Sequence, residues 1–193
     1  KTNEAWFTKT PGLKIVYPAF PGDAKGLLAA AIEDPNPVLF FEHKFLYRSL
    51  REDIYDDYYT TEIGKAAVLK KGNDVTIVTY GLGVHWALET LENDASISAD
   101  LIDLRTLAPL DMETVIESVK KTGKVIVLHE DVEIGGIGAE IVTQINEACF
   151  EYLDAPIRRV ASLNTPIPFE ADLEKNFLPN KRFETVLTDL LNY

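Results

Sequence analysis

Hydrophobic residues follow two patterns along this chain. Short apolar runs alternate with longer stretches in which apolar residues recur every three or four positions. Short runs bounded by turn residues predict buried strands, and the longer spacing predicts helices with one buried face. In the second part of the chain the two patterns alternate regularly, which favours a three-layer α/β fold with a parallel sheet covered by helices on both faces. The strands predicted there are residues 75–79, 99–104, 125–128 and 157–161.

The helices predicted between these strands each have an apolar face. Asp111 stands directly before one of them, where its carboxylate would cap the helix N-terminus. Cys149, the single cysteine, lies within another apolar helix pattern and is interpreted as a core residue rather than a nucleophile. The apolar positions recur around residues 84–91, 112–119, 141–152 and 183–191.

The first part of the chain predicts one strand–helix–strand unit, a piece of a second parallel sheet. Its strands are residues 14–17 and 38–41, and the second is so continuously apolar that we expect it to be buried on both faces. The helix, residues 23–33, places Leu27, Leu28, Ala31 and Ile32 on one predicted apolar face.

Residues 43–65 mix acidic residues with Tyr55, Tyr58 and Tyr59 and show no clear periodicity. We interpret them as a connector between domains that its tyrosines keep ordered; a long surface loop within one domain is the alternative. The predicted division is residues 1–60, the first block, and residues 61–193, the second block.

Charge and composition narrow the function classes. The formal net charge of −12 argues against nucleic-acid binding, which needs basic residues, and is compatible with a basic protein partner. No apolar run approaches the ~18 residues that a membrane span needs. The first residues show neither a signal peptide nor a helix cap. We therefore expect a fragment of a larger protein, in the cytoplasm or the mitochondrial matrix.

A dinucleotide site is the first chemical candidate. Gly81 and Gly83 follow a predicted strand and open a helix, and Asp103 ends the next strand about twenty residues later. The third glycine position of that fingerprint holds Trp86, whose indole would block the close helix–strand approach. A structural tight turn is the favoured interpretation, and a dinucleotide-binding domain remains the less favoured one.

A second candidate is the stretch around His129, at the carboxyl end of a predicted strand. His129 could act as a general acid or base, although a hydrogen-bonded structural histidine is favoured. The glycine cluster at residues 135–138 could bind an anion at a helix start. Because acidic residues crowd the same loop, a turn that allows close packing is the favoured interpretation. His43, His85 and His129 show no metal-ligand spacing.

The turn after the first helix is a possible cation site. The helix ends near Ala31 with free carbonyl groups, and the side chains of Asp34 and Asn36 add oxygens that a hard cation could use. The alternative is a capped helix end that binds no cation, and the residues alone favour it.

Several motifs in collinear order resemble the beta subunit of the thiamine-diphosphate-dependent 2-oxoacid dehydrogenases, of the branched-chain or pyruvate type. The resemblance covers essentially the whole chain and is more specific than any single motif. The matching stretches are residues 3–7 (NEAWF), 10–18 (TPGLKIVYP), 34–42 (DPNPVLFFE), 103–111 (DLRTLAPLD), 127–130 (VLHE) and 191–193 (LNY).

The resemblance implies a transketolase C-terminal domain preceded by an incomplete α/β pyrimidine-binding domain. The family's activating glutamate and active-site histidine precede the stretch matched here, and an alpha subunit, or the alpha half of a fused chain, holds the diphosphate and its magnesium. The resemblance therefore implies no catalytic and no cofactor-binding residue in this chain, which alone would be an inactive scaffold and docking piece. A stand-alone assembly module with the same C-terminal fold is the alternative.

The resemblance also implies two kinds of contact. The family often binds potassium at the turn matching Ala31, Asp34 and Asn36. The lipoyl-acyltransferase component docks on the C-terminal domain, partly through the terminal carboxylate, here on Tyr193, and near the position of Asn164, where the family usually has an aspartate. The full enzyme would be a dimer or heterotetramer, with thiamine diphosphate, magnesium and possible potassium as cofactors, and without nucleic-acid or membrane partners.

Overall fold

The computed structural model describes residues 2–193, in which strands and helices alternate. The strands are β1 (Lys14–Val16), β2 (Val38–Phe40), β3 (Ala67–Lys70), β4 (Val75–Thr79), β5 (Ala99–Asp103), β6 (Thr106–Ala108), β7 (Val125–Val132) and β8 (Arg158–Ser162). The helices are α1 (Ala5–Thr8), α2 (Pro21–Glu33), α3 (Leu46–Ser49), α4 (Leu82–Asn93), α5 (Met112–Thr122), α6 (Gly138–Cys149), α7 (Ala171–Phe177) and α8 (Asn180–Leu191). A 3₁₀ turn, Phe150–Tyr152, follows α6.

A five-stranded sheet organises the second block, in the order β3–β5–β4–β7–β8. The pairs β4–β5, β4–β7 and β7–β8 are parallel. One apolar cluster on this sheet includes residues of α5 and α6, and a second cluster includes residues of α4 and α8. The predicted three-layer α/β fold is therefore confirmed, and Cys149 lies fully buried in the first cluster.

The sequence analysis did not predict β3, β6, α3 or α7. β3 is an edge strand that pairs antiparallel with β5, so the sheet is not purely parallel. Its residues are only partly buried, which explains the weak hydrophobic signal. β6 has three residues and α7 has seven, and both are shorter than a pattern-based prediction can resolve.

β6 pairs with the first block instead of the five-stranded sheet. It lies antiparallel to β1, which is also paired in parallel with β2, giving a second sheet in the order β2–β1–β6. The two blocks therefore share this sheet. Because β2 has only one neighbouring strand among the described residues, all three of its residues are half-buried. The expectation that this strand is buried on both faces was wrong.

The apolar face predicted for α2 is only partly used. Leu27 is fully buried, whereas Leu28 is 46% exposed and Ile32 is 77% exposed. Apolar spacing indicates which residues share a helix face, but whether another element covers that face depends on the tertiary structure. Here the apolar face of α2 extends beyond the part of the helix that contacts the small sheet.

Of Tyr55, Tyr58 and Tyr59, two hold the connector in place. The Tyr59 hydroxyl donates a hydrogen bond to the Gly22 carbonyl at 2.8 Å, and the Tyr58 hydroxyl donates to Glu33. Tyr55 is 83% exposed, although its carbonyl accepts a hydrogen bond from the Lys25 ammonium. The connector thus lies along α2, and part of its order comes from its main chain rather than from its aromatic rings.

The predicted cap of α5 is present. Asp111 accepts a hydrogen bond from the Thr114 N–H at 3.3 Å and from the Thr114 hydroxyl at 2.8 Å. It also accepts the Ala66 N–H, which fixes the chain just before β3. One carboxylate therefore stabilises the helix start and the edge of the large sheet together.

The contrast between the edge and centre of the sheets predicts a difference in hydrogen exchange. We expect the amides of β2 to exchange at least about tenfold faster than those of β7, because β2 is half-buried and can open without unfolding the large core. Residue-resolved exchange measured by NMR checks this. The amides of the intervening β1, with Ile15 and Val16 fully buried, should fall between the two. Equal protection of β2 and β7 would contradict the expectation.

Candidate functional site

The carboxyl ends of β1, β4 and β7 lie together where the two blocks touch. Tyr17 follows β1 and Tyr80 follows β4, and their ring centroids lie 5.4 Å apart. Ligands of open α/β sheets bind beyond the carboxyl ends of the strands, so this convergence is the candidate functional site. We define the strand-end cluster as the residues of this region: Glu4, Tyr17, Tyr80, His129, Glu130 and Asp131.

His129 is fully buried, and neither of its ring nitrogens has a hydrogen-bond partner among the described residues. Burial, with a smaller contribution from the positive charge of Arg159, lowers its pKa to about 4. The imidazole is therefore neutral near pH 7, and its nitrogens do not contact solvent. The favoured interpretation of a structural histidine agrees with this position.

The glycines after β7 make room for this imidazole. A Cβ atom on Gly136 would lie 2.7 Å from the His129 Cε1 atom, and one on Gly138 would lie 2.5 Å from its Cδ2 atom. Both distances are far below ordinary van der Waals contact, so these positions require glycine. The favoured interpretation of a close-packing turn agrees with this geometry, because the turn packs against the His129 ring and, at Gly136, against the Val132 carbonyl oxygen, 2.6 Å from that Cβ position.

Glu4 places a carboxyl group inside the protein. Its side chain is completely buried, and its Oε1 atom accepts a hydrogen bond from the Tyr80 hydroxyl at 2.6 Å. The Oε2 atom has no partner among residues 2–193. Burial raises the pKa of Glu4 to about 7, opposed by the Tyr80 hydrogen bond and assisted by the nearby Asp131 and Glu130 charges. The sequence analysis missed this residue, because a glutamate before a short helix carries no signal of burial.

A second ionisable contact crosses between the blocks beside Glu4. The His43 Nε2 atom, just after β2, lies 2.8 Å from a carboxylate oxygen of Glu130 on β7. Both side chains are about 15% exposed. This contact is an ion pair only when His43 is protonated. The two residues are 87 positions apart, which is why sequence reasoning assigned them no joint role.

Arg105 makes further contacts across the interface between the two blocks. Its guanidinium donates to the Asp23 carboxylate at 3.0 Å and to the Lys65 carbonyl at 3.0 Å, and its own carbonyl accepts the Tyr17 N–H at 2.8 Å. Its φ of 54° is unusual for a residue with a side chain. The Asp103 carboxylate stabilises this turn by accepting the Arg105 N–H at 3.0 Å.

The candidate dinucleotide site at Gly81 and Gly83 is a closely packed turn. A Cβ atom on Gly81 would lie 3.0 Å from the Tyr17 ring, so an aromatic side chain covers the turn. Trp86 packs against the apolar cluster that contains α4. Asp103 is fully buried, which raises its pKa to about 7, and it serves the Arg105 turn. The geometry therefore supports the favoured interpretation of a structural turn.

The predicted cation turn brings Ala31, Asp34 and Asn36 together at the end of α2. Pro35 has no N–H to donate to the Ala31 carbonyl, so this oxygen lacks its helical partner. However, the Lys14 ammonium already contacts Asp34, and Asn36 donates to the same carboxylate through its N–H at 2.9 Å. Lys14 thus supplies a positive charge where the cation would bind. The potassium site stays a prediction.

The two predicted docking residues lie apart. The Asn164 side-chain oxygen accepts the Ile134 N–H at 2.8 Å, just beyond the carboxyl end of β8. Tyr193 is 72% exposed and borders a cleft with Ala155, Pro156 and Ile157, at the amino end of β8. A five-residue strand spans about 16 Å. One chain therefore presents these residues as two separate contacts.

Two cavities lie near the interface. The larger, about 330 Å³, has apolar walls from the start of α2 and from α3, with Glu42 and His43 at its polar side. The smaller, about 50 Å³, borders Glu130 and Asp131 of the strand-end cluster. Within residues 2–193, no group of three or more His, Cys, Asp or Glu side chains is arranged to hold a metal ion. The same residues contain no helix of the length and apolar character that crossing a membrane requires.

Comparisons with known proteins match both blocks. The model of the transketolase C-terminal domain matches residues 64–182, and that of the transketolase pyrimidine-binding domain matches residues 2–49. Among solved structures, the chain is similar to a split-gene transketolase described as an inactive beta4 tetramer, with a TM-score of 0.75 and 27% sequence identity. That similarity covers 97% of this chain and 60% of the other.

Curated relatives include beta subunits of two dehydrogenases. The chain is 48% identical to the 2-oxoisovalerate dehydrogenase subunit beta of Bacillus subtilis, over 98% of this chain and 59% of the relative. It is 46% identical to the mitochondrial subunit of the same name from Dictyostelium discoideum, over 95% and 50%. It is also 46% identical to the pyruvate dehydrogenase E1 component subunit beta of Bacillus subtilis, over 93% and 55%. The chain thus spans 50–59% of the length of these relatives.

The packing of His129 against Gly138 predicts a specific coupling. We expect Gly138→Ala to lower the free energy of unfolding by about 1–3 kcal/mol, because the added methyl group overlaps the ring. Urea unfolding measures this cost. In a double-mutant cycle, the same substitution should cost less in a His129→Ala background, where the ring is absent. An equal cost in both backgrounds would contradict a clash with the ring.

Proposed function

This chain belongs to the transketolase family, and from that premise we propose that it forms part of the beta component of a 2-oxoacid dehydrogenase. One observation carries the proposal: the similarity to dehydrogenase beta subunits runs through both blocks and covers 93–98% of the chain. The substrate class is a branched-chain 2-oxoacid or pyruvate, with the branched-chain type preferred. The reaction is oxidative decarboxylation with transfer of the acyl group to a lipoyl-acyltransferase.

The cavity beside the strand-end cluster is too small for thiamine diphosphate. It is about 50 Å³, whereas pockets for drug-sized ligands occupy roughly 300–1,000 Å³. Thiamine diphosphate would supply the difficult chemistry of decarboxylation, so we assign its binding, with that of magnesium, to the complete enzyme with an alpha subunit.

In the complete enzyme, the role of this chain is to hold the interface between its two blocks in one fixed geometry. Pairing of β6 with β1 and the contacts of Arg105 fix the first block against the five-stranded sheet. Catalysis depends on orientation within about an ångström, and rigid scaffolds supply it. The neutral, enclosed His129 fits a supporting role of this kind rather than proton transfer to a substrate.

We assign the contact with the alpha subunit to the apolar surface of α3. Phe45, directly before α3, is 61% exposed and Tyr47 is 63% exposed, and Tyr47 lines the cavity of about 330 Å³. Exposed aromatic residues beside an apolar cavity are typical of protein–protein interfaces. Size-exclusion chromatography with a 2-oxoisovalerate dehydrogenase alpha subunit tests this assignment, and co-elution that survives Phe45→Ser with Tyr47→Ser would remove it.

A hybrid enzyme tests the proposed function. We expect residues 2–193, placed in the Bacillus subtilis 2-oxoisovalerate dehydrogenase beta subunit in place of its matching residues, to support activity with the alpha subunit. The expected activity is thiamine-dependent oxidation of 2-oxoisovalerate within about tenfold of the parent enzyme, because the hybrid keeps the two blocks in the same orientation relative to each other. Reduction of an artificial electron acceptor measures the rate.

The matched control carries the corresponding segment of the Bacillus subtilis pyruvate dehydrogenase beta subunit, which is 46% identical to this chain. A hybrid that assembles with the alpha subunit but does not oxidise 2-oxoisovalerate or pyruvate contradicts the enzyme proposal. That outcome favours a stand-alone assembly module. Comparison of the two 2-oxoacids also reports which substrate class the chain supports.

A charge substitution tests docking of the acyltransferase. We expect Asn164→Asp to strengthen binding of a basic peripheral-subunit-binding domain several-fold, because it adds a negative charge while keeping an acceptor for the Ile134 N–H. Calorimetric titration at low and high salt measures the affinity, and the gain should shrink at high salt. The exposed Asn93→Asp on α4 is the matched control. Equal gains for both variants would indicate a general charge effect and remove Asn164 from the docking surface.

A further inference from the structure

An acid is the only fully buried residue in the N-terminal segment, residues 2–8. Every other described residue in this segment is partly or largely exposed, and Trp6 is 73% exposed. The helix α1 has four residues, and its backbone hydrogen bonds are local: Trp6 donates to Asn3, Phe7 to Glu4 and Thr10 to Phe7. The hydrogen bond from Tyr80 to Glu4 is one polar anchor of the segment on the second block, and the Thr2 side chain makes a second polar contact with Asp131.

The surroundings of Glu4 disfavour a negative charge. Tyr80 donates one hydrogen bond to it, and the Tyr17 ring packs against Tyr80. The charged groups that face Glu4 from β7 are the carboxylates of Glu130 and Asp131. The His43 side chain offsets Glu130 only when it is protonated. Glu4 itself has an Oε2 atom without a partner among residues 2–193, so an ionised Glu4 would be buried beside two acids.

We propose that Glu4 and Tyr80 form a proton-operated latch that holds residues 2–8 on the second block. With Glu4 protonated, the segment is docked and α1 lies beside the strand ends. When Glu4 loses its proton, its carboxylate gains hydration only by leaving the interface, and the segment opens.

The direction and size of the effect follow from linkage. The pKa of docked Glu4 is raised to about 7 by burial, above its ordinary value of 4.5. The docked state therefore binds more protons, and docking weakens as the pH rises from below 4.5 through 7. Between pH 6 and pH 8.5, these two values give about a tenfold increase in the equilibrium constant for opening.

Hydrogen exchange on the full chain measures this opening. The reporters are the amides of Trp6 and Phe7, whose hydrogen bonds lie within the segment. Rates at pH 6 and pH 8.5 are divided by the intrinsic rates of an unstructured peptide to give protection factors. The expected result is a loss of about tenfold in protection at pH 8.5. The amide of Ile77, in the centre of the large sheet, reports global stability and should change far less.

Three variants separate the latch from other effects. Glu4→Gln keeps an acceptor for Tyr80 but cannot ionise, so protection of residues 6 and 7 should become independent of pH over this range. Tyr80→Phe removes the donor and should lower protection at pH 6. Glu147→Gln makes the same chemical change at an exposed position of α6 and should behave as the parent.

A direct titration of Glu4 tests the proposal without using any variant. The carboxyl carbon of Glu4, followed by NMR in the parent chain, should titrate with a midpoint near 7 and in parallel with the loss of amide protection. A midpoint near 4.5, or a protection change of the same size in Glu4→Gln, would overturn the proposal.

Discussion

The turn made by Arg105 is the constraint on which the arrangement of the two blocks depends. It carries the chain out of β5 and directs β6 away from the large sheet and onto β1. Its backbone has a φ of 54°, and the Asp103 carboxylate stabilises that conformation through the Arg105 N–H. The guanidinium then reaches Asp23 on α2. Because one residue supplies the turn, the backbone contact and the ion pair, the small sheet has little freedom relative to the large one.

Burial at this interface changes the chemistry of its polar residues. Water is excluded from the strand-end cluster, so Glu4 is half-protonated near neutral pH and His129 stays neutral. On a solvated surface Glu4 would be fully ionised and His129 would be partly protonated near neutral pH. The carboxyl ends of the strands are therefore packed with side chains, and this chain uses them to join two blocks rather than to surround a large ligand.

The glycine motifs illustrate how local sequence can suggest the wrong partner. Gly81 resembles the start of a nucleotide-binding turn, yet it accommodates the Tyr17 ring. Gly136 and Gly138 resemble an anion-binding loop, yet they accommodate the His129 ring. In each case the sequence indicates that a close approach occurs, because only glycine leaves the space. Which group approaches is decided by elements far away along the chain.

The sequence by itself determined the four parallel strands of the large sheet, the helices that cover it and the Asp111 cap. Those features depend on hydrophobic periodicity and on hydrogen bonds between residues close in the chain. Only the tertiary structure decided that β6 joins β1, that the apolar face of α2 is left half uncovered and that Glu4 is buried. The physical reason is that these outcomes depend on contacts between residues 70 or more positions apart, such as Glu4 with Tyr80, and on which surfaces neighbouring elements cover. No local pattern records such contacts.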